Sequence, residues 1–138
     1  MDMSRELRTG RHCVFSMHCH LVFVTKYRKK IFTKEILDDM RSCLEKICCG
    51  FEASLEEFDG EHDHVHLLVY YPPKVSISKL VNSLKGISSR MLRKKNYPTI
   101  QKNLWSGRLW SPSYFAGSCG GAPLSVIKQY IESQKTPV

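Results

Sequence analysis

Two segments with apolar residues at helical spacing, each enclosed by segments of strand-like composition, constrain the fold of this chain more than any other feature. From Thr33, a residue suited to cap a helix, Ile36, Met40, Leu44 and Ile47 recur every three or four positions until Gly50 stops the pattern. After Pro72-Pro73, Ile77, Leu80, Leu84, Ile87 and Met91 mark a second helical face running to about Lys95, with Lys79, Arg90 and Arg93 opposite. Residues 13–25, dominated by Val14, Phe15, Leu21, Val22, Phe23 and Val24, predict a first strand. Residues 51–58 and 64–71, joined by Asp59-Gly60-Glu61-His62-Asp63, predict a hairpin. Residues 96–108 read as a turn-rich connection, and 109–119 as a fourth strand with an edge or irregular start at Pro112. Gly117, Gly120 and Gly121 then form a bend, and Pro123 opens a last helix reaching Gln134. The order β-α-β-β-α-β-α begins with the ferredoxin-like split βαβ pattern: an α+β domain, an antiparallel sheet with helices on one face plus a C-terminal helix.

With 138 residues there is room for one such domain, residues 1–138. No apolar run approaches the roughly 18 to 20 residues that a membrane span requires, and residues 1–6 lack the apolar stretch of a signal peptide, so a cytoplasmic protein without membrane association is expected. The six cysteines show no CxxC spacing and several fall in apolar segments, which predicts buried free thiols. Charge is distributed unevenly. From His64 to Ile131 there are ten Lys or Arg and no Asp or Glu, whereas 12 of the 13 acids precede His64. Chemistry in this half must manage without carboxylates, and an anionic partner is implied, although charge alone does not separate nucleic acid from an acidic membrane surface.

His64-Val65-His66 places two imidazoles on one face of a strand with Val65 toward the core, a natural half-site for a metal. Strand alternation points Asp63 away from His64, so it is not assigned as a ligand. On the last helix Tyr130 and Gln134 lie at i and i+4, about 5 to 6 Å apart at Cβ, where a nucleophile and a ligand can share a site. The plainer alternative has Tyr130 packing on Ile127 as an ordinary amphipathic-helix aromatic.

The segment Asp63-His64-Val65-His66-Leu67-Leu68-Val69 resembles the His-hydrophobic-His signature of TnpA-type single-tyrosine transposases of small bacterial and archaeal insertion sequences. Four more blocks agree in order: Thr25-Lys26-Tyr27-Arg28, Leu84-Lys85-Gly86-Ile87-Ser88-Ser89-Arg90, residues 104–114, and Tyr130-Ile131-Glu132-Ser133-Gln134. A departure is His62, where members usually carry proline. The resemblance implies that Tyr130 attacks a phosphodiester of single-stranded DNA, leaving a 5′-phosphotyrosine and a free 3′ hydroxyl. It implies that His64, His66 and Gln134 hold Mg²⁺ or Mn²⁺, although two imidazoles alone would suit zinc or another transition metal. It implies a homodimer with joined sheets and composite sites, and a substrate with hairpins near the element ends. Lys79, Lys85, Arg90 and Arg93 are the candidate phosphate contacts, and Trp105 and Trp110 the candidate base-stacking residues, with core packing as the alternative for each tryptophan.

Three other functions are consistent with parts of this pattern. An RRM-like single-strand binding module has the same sheet but no use for Tyr130 with the histidines. A metal-dependent hydrolase would use His64 and His66 without a covalent intermediate, but the basic half offers no acidic general base. A related nuclease processing repeated genomic hairpins would share all the residues named.

Overall fold

Both apolar periodicities form helices, and both pack on the same face of one antiparallel sheet. The computed structural model describes residues 7–10, 12–104, 107–118 and 124–134. Its elements are β1 (Arg8–Thr9), β2 (Val14–Phe15), β3 (His18–Val24), a 3-10 turn (Lys26–Arg28), α1 (Lys34–Gly50), β4 (Ser54–Gly60), β5 (His64–Tyr70), α2 (Ile77–Lys94), α3 (Pro98–Asn103), β6 (Phe115–Ser118) and α4 (Leu124–Ser133). The main sheet has the order β4-β5-β3-β6 with antiparallel neighbours throughout, as expected of the split βαβ pattern.

Thr33 caps α1 by accepting a hydrogen bond from the Ile36 N–H, and the helix buries Ile36, Met40, Leu44 and Cys48. Ser76 caps α2 in the same way, through the Lys79 N–H. The buried face of α2 is Leu80, Val81, Leu84, Ser88 and Leu92, rotated from the predicted stripe, so that Ile87 stands 40% exposed. Ser88 tolerates full burial because its hydroxyl donates to the Lys85 carbonyl and accepts the Trp110 indole N–H. A hydropathy pattern cannot register that satisfaction.

Side-chain alternation gives the sheet two different faces. Leu21 and Phe23 of β3, with Val65, Leu67 and Val69 of β5, meet α1 and α2 in the main core. Val22 and Val24 point the other way and are covered by Ile127 and Ile131 of α4, with Phe115 and Tyr130 alongside. The last helix therefore lies on the face that carries the histidines.

Elsewhere the sequence expectations need correction. The predicted strand 13–25 is broken: Val14 and Phe15 pair with Thr9 and Arg8 in a small separate ladder. The predicted strand 109–119 contributes only Phe115–Ser118, because proline at 112 has no N–H for the ladder, and Trp110 makes an isolated bridge to Thr25 instead. Residues 98–103 form a short helix opened by Pro98, with Ile100 buried. Cys19 and Cys48 are buried, their thiols pushed up to about 11 and about 12 by burial, but Cys13 and Cys49 are exposed. Cys119, Gly120, Gly121 and Pro123 lie outside the described residues. No helix among the described residues is long and apolar enough to cross a membrane.

Candidate active site

β5 presents His64 and His66 on one face, opposite Val24 and Val22 of β3, with ring centroids 5.1 Å apart. Asp63, expected to point away, instead turns back to His64: its Oδ1 lies 2.7 Å from His64 Nδ1, and its Oδ2 accepts from Arg28 Nε at 3.2 Å. The alternation rule does not reach it because Asp63 precedes the first residue of β5 and sits in a bend. Burial would raise the Asp63 carboxyl, but hydrogen bonding and charge from His64 and then Arg28 outweigh it and hold the group below the usual carboxylate range. Asp63 Oδ1 beside Nδ1 orients the His64 ring so that Nε2 is the nitrogen available to a metal. Burial, reinforced by His64, pushes His66 below its ordinary value, which keeps that ring neutral and able to ligate at pH 7.

Arg28 reaches Asp63 from an unusual turn. Tyr27 and Arg28 adopt left-handed backbone angles, with φ of 61° and 53°, a conformation that costs a non-glycine residue roughly 1 to 3 kcal/mol. The fully buried Thr25 secures the turn: its N–H donates to the Asp63 carbonyl at 2.9 Å, and its hydroxyl is 2.8 Å from the Lys29 carbonyl. The block Thr25-Lys26-Tyr27-Arg28, which sequence reasoning left without a role, is thus the brace of the histidine pair.

Tyr130 and Gln134 lie on the same sheet face but not beside the histidines. Tyr130 Oη is 2.8 Å from Ser113 Oγ, and its ring packs on Phe115. Gln134 Oε1 accepts from Ser111 Oγ at 2.9 Å and from Ser113 Oγ at 3.4 Å. Val22 of β3 lies between His66 and Phe115 in the sheet register, and Val24 between His64 and Ser111, whose N–H donates to the Val24 carbonyl. Two strand spacings, about 10 Å, therefore separate β5, which carries the histidines, from residues 111–115, whose side chains hold Tyr130 and Gln134. Among the described residues no group of three His, Cys, Asp or Glu is gathered for a metal. Tyr130 does join the small core around Ile127, as the plainer alternative held, yet its hydroxyl is committed to a polar partner. Burial pushes its phenol above the ordinary value, and the Ser113 contact only partly offsets this.

The expected DNA contacts divide. Lys79 and Arg90 are exposed. Lys85 is half-buried and donates to the carbonyls of Ser111 at 2.6 Å and Ser113 at 3.1 Å, while Arg93 donates to the carbonyls of Leu104 and Gly107. Trp110, a candidate for base stacking, is buried at 4% exposure with Phe23 and Phe32 against its ring, so its role is core packing. Trp105 lies outside the described residues.

The fold is one found among transposases. It superposes on the crystal structure of a candidate transposase from Deinococcus radiodurans R1 with a TM-score of 0.83 and 31% identity, covering 94% of this chain and 99% of that one. It also superposes on a REP-associated tyrosine transposase bound to a REP hairpin, at a TM-score of 0.53 and 8% identity over 92% of this chain and 69% of that one, a likeness of fold alone. The ISDra2 transposase TnpA of Deinococcus radiodurans is 33% identical over 94% of this chain and 91% of its own length. The transposase for insertion sequence element IS200 of Salmonella typhimurium is 30% identical over 89% of this chain and 80% of its own. Residues 13–134 match the family described as "Transposase IS200 like", and the chain belongs to that family.

Proposed function

We propose that this transposase cleaves and rejoins single-stranded DNA at the hairpin-bearing ends of an insertion sequence, with Tyr130 as the nucleophile. The observation that carries the reading is the placement of both functional pairs, His64 with His66 and Tyr130 with Gln134, on one face of the sheet with only β3 between them. Attack forms a bond from Tyr130 Oη to the scissile phosphorus as the bond to the 3′ oxygen breaks. The phenol proton leaves and the 3′ oxygen gains one, so the product is a 5′-phosphotyrosine and a free 3′ hydroxyl that can reverse the step. Burial favours the neutral phenol, so the proposed step includes removal of its proton by a base.

The histidine pair fits a divalent cation: Asp63 holds the His64 ring at Nδ1 with Nε2 available, and burial disfavours the charged form of His66. Mg²⁺ or Mn²⁺ bound there would draw charge from the scissile phosphate. Gln134, as third protein ligand, has to leave Ser111, or to come from the partner subunit of a homodimer with composite sites.

A hairpin oligonucleotide labelled at its 5′ or 3′ end, incubated with Mg²⁺, tests the reading. Wild type should give a protein-DNA adduct that survives denaturation and retains the strand 3′ of the cut. Tyr130→Phe should bind the hairpin and form no adduct, and an adduct in that variant would remove Tyr130 as nucleophile.

A further inference from the structure

Between α2 and residues 107–112 lies a cavity of about 480 Å³ whose lining includes Asn82, Lys85, Ser89, Arg93 and Arg108. That volume is within the range of small-molecule sites. No acid occurs anywhere between His64 and Ile131, and among the described residues none of the three cations is ion-paired. Arg93 has its guanidinium on backbone carbonyls, but Arg108 is exposed at the rim. Like charges are thus gathered without a counter-charge. Burial lowers the Lys85 ammonium and the nearby Arg108 lowers it further, a standing cost that an entering anion would offset.

Lys85 also connects this cavity to the tyrosine helix. Its Nζ donates to the Ser111 and Ser113 carbonyls, and the side chains of the same two serines hold Gln134 Oε1 and Tyr130 Oη. A phosphate oxygen carries a negative charge where a peptide carbonyl offers only a dipole, so ion–ion attraction lets phosphate compete effectively for the ammonium.

We propose that this cavity binds one phosphate of the single-stranded DNA substrate, and that this phosphate draws Lys85 off the Ser111 and Ser113 carbonyls, loosening the contacts that hold Tyr130 and Gln134. Lys85 is then a positioning residue, and substrate contact on one side of the sheet releases the nucleophile on the other. The inference rests on the strand-transfer reading, since it takes Tyr130 as the attacking group.

Two measurements without divalent metal, on the hairpin oligonucleotide of the adduct assay, test it. In the first, each phosphate of the single-stranded part is replaced in turn by a neutral methylphosphonate. One linkage should weaken wild-type binding roughly tenfold and have no further effect in Arg108→Gln, whose substitution at an exposed position leaves folding intact. If every linkage acts alike in both proteins, the cavity holds no phosphate. In the second, the protein carries 3-fluorotyrosine, with the Tyr130 resonance assigned from Tyr130→Phe. DNA should move that resonance in wild type, and Lys85→Gln should displace it already without DNA, although Lys85 does not touch the ring. An unmoved resonance in Lys85→Gln overturns the coupling, and a full shift with orthophosphate alone overturns the assignment to DNA. Adduct formation by wild type is scored separately: its absence defeats the strand-transfer reading, whereas its presence with no coupled linkage defeats only the cavity.

Discussion

Ser113 Oγ lies 2.8 Å from Tyr130 Oη, two residues after Ser111, which donates to Gln134 at 2.9 Å. One short segment thus holds Tyr130 of α4 and Gln134 just beyond its end, while a different one, residues 25–28, braces the histidines through Asp63. The proposed site consists of two separately fixed halves on one sheet face, and the proposed chemistry requires either that α4 move or that a second subunit supply the missing half.

Ser113→Ala should raise the Tyr130 phenol further. The serine contact is the one influence that lowers this group, and burial, which raises it, remains after the substitution. The difference in phenolate absorbance between Ser113→Ala and Ser113→Ala/Tyr130→Phe, titrated with base, reads the change. The loss of one hydrogen bond should cost about 1 kcal/mol in stability. A phenol that titrates as in wild type would show that the contact is not made in solution.

Asp63→Ala should weaken Mn²⁺ binding by about 10- to 100-fold, the usual effect of removing a partner that orients a metal-binding histidine. Asp63→Asn should lose less, because its amide oxygen can still accept from His64 Nδ1–H. Arg28→Ala, which leaves Asp63 in place but removes its second support, should fall between wild type and Asp63→Ala. Direct titration with Mn²⁺ monitored by electron paramagnetic resonance gives the ranking, and equal affinity across the series would show that Asp63 serves folding only.

The parts of this arrangement that were legible in the sequence depend on repeating geometry. His64 and His66 share a face because a strand alternates, and Ile36, Met40 and Leu44 are buried because a helix repeats. What escaped depends on single conformations. The bond from Asp63 to His64 exists because the chain bends before β5, and Arg28 reaches it through two left-handed residues that no propensity favours. Ser88 interrupts an apolar stripe yet is buried, since the Trp110 N–H comes from another segment to satisfy it. Ser111 and Ser113 lay in a recognisable block, but their partners Gln134 and Tyr130 are more than fifteen residues away, and no periodicity links them.

Tyr97 gives the fold a stability that depends on pH. Its hydroxyl donates to Asp39 of α1, and its phenol is pushed above the ordinary value by burial first and by Asp39 second. A group whose folded pKa is raised contributes stability that is complete below its unfolded pKa, near pH 10, and is lost as pH rises through the folded value. Tyr97→Phe should therefore be less stable than wild type by about 1 to 2 kcal/mol at neutral pH. Urea denaturation midpoints should converge as pH rises above about 10, and a constant gap would remove the Tyr97–Asp39 bond as its source.

Mixing two inactive subunits distinguishes the ways of joining the half-sites. Tyr130→Phe keeps its histidines and lacks the nucleophile, whereas His64→Ala keeps the nucleophile and lacks a ligand. Within one chain, Ile127 and Ile131 hold α4 over Val22 and Val24 of β3, and Tyr130 and Gln134 are hydrogen-bonded to Ser113 and Ser111 on the side away from β5. If the partner supplies the helix, a heterodimer has one site with intact histidines from the first subunit and an intact Tyr130 from the second, and a second site lacking both. Differently tagged subunits, purified as heterodimers, should then form the covalent adduct at about half the wild-type rate per dimer, as expected of one working site in two. If α4 instead moves across its own sheet, each site of the heterodimer lacks one essential group and no adduct forms. The adduct in a rescued heterodimer should be carried only by the His64→Ala chain, which alone retains Tyr130, and separating the two tagged chains after denaturation reads this directly.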